Sequence, residues 1–221
     1  ADAAMYHAKE LGRNSWRAFS RALAQRRDQR LGLETALRRA IRNREFELHY
    51  QPILDVVTGH VSQVEALVRW NDPARGTVLP MTFIPVAEEA GLMRDLGQWV
   101  FEEASRQAAR WNAGGAGPIV VGVNLSASQL RDSTIVAEFE ATLQATGCSP
   151  NWLALEITET SMVKDVEGVS LTLRKLRRLG FRLGRFTLEI ALAPEWQRLH
   201  HRVFGTADAA RQYVKAGAGF G

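Results

Sequence analysis

Two apolar runs of strand length restrict what this chain can fold into. Residues 119–125 and 152–157 are almost wholly apolar, the pattern of strands covered on both faces. Between and after them lie segments with helical spacing, at 92–111, from Ser126 to about residue 146, and at 169–179, where Leu171, Leu173, Leu176 and Leu179 recur. Strands alternating with helices of this length form right-handed βαβ units on a parallel sheet, either open and doubly wound or closed as a barrel. Periodicity leaves that choice open.

Upstream, the alternation of Phe46, Leu48 and Tyr50 with Glu47 and His49 predicts a first strand, and Pro52 places its end at an edge or rim. Residues 55–59 supply a turn and 61–70 a second strand. Residues 71–80 read as a loop, 83–90 as a short helix closed by Gly91, and 181–183 as a brief strand after Gly180. Residues 1–9 read as a short helix that Gly12 and Asn14 are expected to stop. Between these lies an arginine-rich stretch with Arg21, Arg26, Arg27, Arg30, Arg38, Arg39 and Arg42 against Asp28 and Glu34. Leu31, Leu33, Leu37 and Ile41 recur there at roughly helical spacing, which predicts an amphipathic connecting helix with a solvated basic face.

The net charge of +4 raises the question of nucleic acid, but no recognised reader motif accompanies the arginines, so the connecting helix is the favoured reading. No stretch approaches the roughly 20 apolar residues of a membrane span, and the first residues carry no export signal, so cytoplasm is the expected compartment. The single cysteine, Cys148, has no partner for an internal disulfide or a Cys-based zinc site. His200 and His201 read as surface residues, because little else converges on them.

Ligands of parallel sheets bind at the carboxyl ends of the strands, which singles out polar residues in or at the end of apolar strands. Glu65 lies in the second strand, Asn124 near the end of the run 119–125, and Glu156 near the end of 152–157. A carboxylate in an apolar strand is costly unless it is paired or binds a cation, and carboxylate and amide oxygens suit Mg²⁺, Mn²⁺ or Ca²⁺. A plainer reading has Glu65 paired with Arg69, Asn124 capping the helix that starts at Ser126, and Glu156 flanking its strand. Glu159 reads either as a cap of the next helix or as a group that holds a metal ligand from behind.

Tyr50-Gln51-Pro52-Ile53, Glu65-Ala66-Leu67-Val68-Arg69-Trp70, Phe83-Ile84-Pro85-Val86-Ala87-Glu88, Val123-Asn124-Leu125-Ser126 and Leu155-Glu156-Ile157-Thr158-Glu159 resemble, in order and spacing, the motifs of EAL domains. The resemblance implies an α/β fold, a TIM-type (β/α) barrel, and hydrolysis of cyclic di-GMP to pGpG with two divalent ions, Mg²⁺ or Mn²⁺. It implies Glu65, Asn124 and Glu156 as metal ligands, with Glu65 and Glu156 counted as catalytic. Gln51, Leu67 and Arg69 match the surface that receives the dinucleotide. A homodimer through this domain is the self-association the family offers, and nucleic acid is not an expected partner. Ala1-Asp2-Ala3-Ala4-Met5-Tyr6-His7-Ala8-Lys9 through Gly12-Arg13-Asn14 looks like the end of a GGDEF domain.

The expected organisation is a GGDEF remnant at 1–20, a linker helix region at 21–32, a partial EAL domain at 33–184 and a divergent tail at 185–221. Where the family pattern has a strand closing in paired aspartates, this chain has Gly184-Arg185-Phe186-Thr187-Leu188-Glu189-Ile190. The later lysine, glutamate and glutamine of the pattern also have no counterpart. A complete barrel of this type takes about 250 residues. The expectation is therefore an incomplete barrel preceded by a helical linker, without hydrolytic activity as this chain. A module that binds cyclic di-GMP without cleaving it, or a fragment without function, is the alternative.

Overall fold

The computed structural model of the chain describes residues 13–54, 59–114, 118–157 and 166–184. It opens with one long helix, α1 (Arg13–Asn43), rich in the Arg, Leu and Ala that favour helix. The helix closes with Arg44 in the left-handed region at φ 55. The Glu45 N–H donates to the Ala40 carbonyl at 3.0 Å and the Arg44 N–H to Ile41 at 3.4 Å, so two carbonyls of the last turn of α1 are satisfied. Ala36, Leu37 and Ala40 are buried, with Leu33 and Ile41 packed beside them. Leu31, expected on the same stripe, is 52% exposed. At about 100° per residue it lies on the far side of the helix from Leu33, so it cannot share that face.

The strands are β1 (Phe46–Leu54), β2 (Val61–Asp72), β3 (Gly76–Val78), β4 (Val120–Leu125), β5 (Leu153–Ile157) and β6 (Arg182–Gly184). They form one sheet in the order β1-β2-β4-β5-β6, with β3 also paired to β2. β2, β4, β5 and β6 run parallel, as the βαβ pattern predicts. The β1–β2 pair is antiparallel, because the short connection between them cannot make a parallel crossover. Pro52 falls within β1, at an edge of the sheet order. The fold is thus α/β, and the sheet does not close into a barrel among the described residues.

Two further local expectations differ from the structure. The loop expected at 71–80 contains β3, which pairs Trp70 with Val78 and Asp72 with Gly76. Asp72 nucleates this hairpin, accepting the Ala74 N–H at 2.7 Å and the Arg75 guanidinium at 2.6 Å, while Gly76 supplies φ +72. The helix expected from Ser126 to about residue 146 is divided into α4 (Ala127–Leu130) and α5 (Ile135–Thr146). Asp132 Oδ1 accepts both the N–H (2.9 Å) and the hydroxyl (2.7 Å) of Thr134, a local bonding pattern that competes with helix.

The remaining helices are α2 (Pro80–Glu89), α3 (Met93–Asn112) and α6 (Val166–Arg178), with a 3₁₀ turn at Pro150–Trp152. α3, α5 and α6 cover one face of the parallel strands, where Phe101 and Phe139 stack at 3.6 Å and Phe181 joins them. A second cluster, Leu37, Phe46, Trp70, Phe83, Val86 and Leu96, sits where α1 and α2 meet the β1–β2 hairpin. Val68 and Trp99 touch both clusters, so the two are continuous.

Asp72 is a buried carboxylate whose ionisation burial opposes, yet the Ala74 N–H and the Arg75 guanidinium outweigh burial and hold its pKa below the ordinary value. A lowered folded pKa gives stability that is present above the unfolded carboxylate pKa and is lost as pH falls through the folded value. Asp72→Ala is expected to cost about 1–3 kcal/mol in urea unfolding at neutral pH, with the difference from the parent shrinking in acid.

Candidate functional site

The rows of the parallel sheet decide which side chains share a face. Ala66, Val123 and Leu155 align across β2, β4 and β5 and are buried in the core under the helices. Side chains alternate along a strand, so the neighbours of these residues point away from that core. They are Glu65, Gly122 and Ala154 in one row, then Asn124 and Glu156 in a row nearer the carboxyl ends. The antiparallel partner β1 adds Gln51 opposite Glu65, His49 opposite Leu67 and Glu47 opposite Arg69.

All six residues that sequence places on the ligand side, Gln51, Glu65, Leu67, Arg69, Asn124 and Glu156, therefore share this face. Asn124 Nδ2 donates to Glu65 Oε1 at 3.0 Å. Glu65 is buried, Glu156 half-buried and Asn124 exposed, so the group is sunk at one end and open at the other. Leu67 and Arg69 are half-buried and Gln51 is exposed. Glu159 lies outside the described residues.

The plainer readings of two of these residues do not hold. The helix after β4 is capped by Ser126: the Gln129 N–H donates to Ser126 Oγ at 3.3 Å, and the Ser126 N–H donates to Gln129 Oε1 at 3.0 Å. Asn124 is therefore released from capping and turned to Glu65. Arg69 donates a guanidinium N–H to the Val68 carbonyl at 2.9 Å rather than pairing with Glu65. Its guanidinium carries further donors beyond that one.

One residue of the site was not singled out from sequence. Gln63 Nε2 donates to Glu156 Oε1 at 3.2 Å, over the position of Gly122. The signal was the strand period itself, since two residues before Glu65 is the same face. Glu47 and His49 also meet here, with His49 Nε2 and Glu47 Oε1 2.7 Å apart. The His49 hydrogen bond, followed by one from Asn71, holds the Glu47 carboxyl below its usual pKa.

Among the described residues no three His, Cys, Asp or Glu side chains come together as a metal cluster. The set that converges is two carboxylates and an amide, an oxygen donor set that suits a hard divalent cation. A groove of about 660 Å³ between α3 and α5 is lined by Arg94, Gln98, Glu102, Arg106 and Glu138. It is on the helix-covered side, and Arg94 pairs there with Glu138 and Arg106 with Glu102.

Residues 34–184 match the family model of the EAL domain. The chain belongs to the EAL domain family. It is 42% identical over 183 residues to an uncharacterized signaling protein of Caulobacter vibrioides, a match over 83% of this chain and 22% of the relative. It is 38% identical over 180 residues to MucR of Pseudomonas aeruginosa, a bifunctional diguanylate cyclase/cyclic di-GMP phosphodiesterase, covering 81% of this chain and 26% of that protein. The chain thus spans about a quarter of the length of such relatives. The solved MucR phosphodiesterase in complex with c-di-GMP superposes with a TM-score of 0.64 at 36% identity, over 68% of this chain and 61% of that one.

The cap that follows Asn124 in this EAL domain is made by Ser126 and Gln129. Ser126→Ala is expected to lower unfolding stability by about 1 kcal/mol, measured by chemical denaturation.

Proposed function

We propose that this EAL domain binds cyclic di-GMP on the polar face of its sheet, through a site of the phosphodiesterase kind. The observation that carries the reading is the contact of Asn124 with Glu65 at 3.0 Å, beside Glu156 on the adjacent parallel strand. Relatives named as cyclic di-GMP phosphodiesterases supply the chemistry of the ligand. Glu65, Asn124 and Glu156 would hold Mg²⁺ or Mn²⁺, with a pair of ions as the family's arrangement. Bound there, such ions supply Lewis-acid polarisation of a phosphoryl oxygen and lower the pKa of a water. Asn124 spends its Nδ2 on Glu65, which leaves Oδ1 as the atom for an ion.

The roles of the other residues follow from their chemistry. Arg69 carries a permanently charged planar fork suited to a phosphodiester oxygen, and its tether to the Val68 carbonyl limits how far that fork can swing. Gln51 offers an amide donor and acceptor opposite Glu65, and Leu67 an apolar surface for a nucleobase. Glu159 is the group we assign to orienting a metal ligand. Residues 1–20 are read as the end of a GGDEF domain, 21–32 as a connecting segment, and the cytoplasm as the compartment. Among the described residues no helix is long and apolar enough to cross a membrane.

Cleavage and binding separate in this chain. The segment 184–190 has no counterpart to the paired aspartates of the family pattern, so the carboxylates that would complete a two-ion site are missing from their place. The favoured activity of these 221 residues is binding without turnover.

With Mn²⁺ and cyclic di-GMP, the chain is expected to produce no pGpG; ready formation of pGpG would overturn the claim of inactivity. Calorimetric titration with cyclic di-GMP is expected to show binding that Arg69→Ala weakens about tenfold or more, the loss of one charge-assisted contact. No heat of binding in a folded chain would favour a fragment without function.

A further inference from the structure

We propose that Gln63 is a positioning residue for Glu156, and that Gly122 is the gap that lets the two meet. The proposal rests on the reading of Glu65, Asn124 and Glu156 as a divalent-cation site, and adds a fourth residue to it. Gln63 lies on β2, two strands away from Glu156 on β5, with Gly122 of β4 between them. Its Nε2 reaches Glu156 Oε1 at 3.2 Å across that intervening strand. A Cβ at residue 122 would lie 2.7 Å from Glu156 Oε1 and 3.4 Å from Gln63 Nε2, inside the space that the contact occupies. Gly122 is not among the residues with positive φ, so its backbone has no need of glycine. What needs glycine is the room above it.

The arrangement repeats one device. Each carboxylate accepts a hydrogen bond from a side-chain amide based on another strand: Glu65 from Asn124 at 3.0 Å, Glu156 from Gln63 at 3.2 Å. A neutral amide donor fixes the orientation of a carboxylate through one hydrogen bond without adding a charge of its own. Partners behind a ligand of this kind typically alter metal affinity by about 10–100-fold when removed.

The test titrates the full 221-residue chain with Mn²⁺, following the electron paramagnetic resonance signal of the free ion. Gln63→Met, which keeps the length and loses the donor, is expected to weaken Mn²⁺ binding about tenfold or more in a chain that still unfolds cooperatively. Gly122→Ala is expected to act in the same direction, because only the end of a flexible side chain stands in the way of the new Cβ. It decides the question should Gln63→Met not fold. A folded Gln63→Met or Gly122→Ala chain that binds Mn²⁺ as the parent does overturns the positioning role and leaves the ion site standing. A folded parent that takes up no Mn²⁺ overturns the ion site, and this proposal with it. In the metal-free chain, Glu156→Ala should shift the side-chain amide resonances of Gln63; their constancy would remove the contact on which the proposal stands.

Discussion

Two carboxylates in the strands of a parallel sheet are the constraint around which this structure is arranged. Burying Glu65 and half-burying Glu156 carries a desolvation cost, and the amides of Asn124 and Gln63 offset part of it. Those contacts exist because β2, β4 and β5 are parallel and held in one register, with Glu65 beside Gly122 and Asn124 beside Glu156. A slip of one residue in any of these strands would send its polar group into the core and an apolar one out. The packing of Ala66, Val123 and Leu155 under α3, α5 and α6 thus holds the register on which the polar face depends.

The two faces of the sheet divide the work. The helix-covered face is filled by aromatic and branched side chains, with the Phe101–Phe139 stack at its centre. The opposite face carries Gln51, Gln63, Glu65, Leu67, Arg69, Asn124 and Glu156. At the hairpin end, the cluster of Phe46, Trp70 and Phe83 ties α1 and α2 to β1 and β2. The edge strand that bears Gln51 is thereby held against the strand that bears Glu65. The proposed cyclic dinucleotide ligand rests on this face together with membership of the EAL family.

Much of this was legible in the residues. The parallel core followed from the runs at 119–125 and 152–157, and the exposed positions of the alternating strand Phe46–Leu54 from its period of two. The segment around β3 is not legible in the sequence, because Asp72 forms its turn with side-chain bonds to Ala74 and Arg75 that no hydrophobic pattern records. The break between α4 and α5 is hidden for a related reason: Asp132 bonds locally to Thr134 within a stretch whose apolar spacing continues as helix. Leu31 shares a rough spacing with Leu33, Leu37 and Ile41, but the turn of the helix carries it to the exposed side of α1.

Sequence alone determined the alternation of strands and helices, the choice of Glu65, Asn124 and Glu156 as the unusual polar groups, and the likeness to EAL domains. Those are properties of single strands and ordered motifs, and a linear reading captures them. Tertiary structure decided who holds whom. Whether Asn124 caps a helix or turns to Glu65 depends on Ser126 and Gln129 closing the cap themselves. Whether Gln63 matters depends on a glycine of another strand and a carboxylate 93 residues away, a distance the chain spans only when three strands lie side by side.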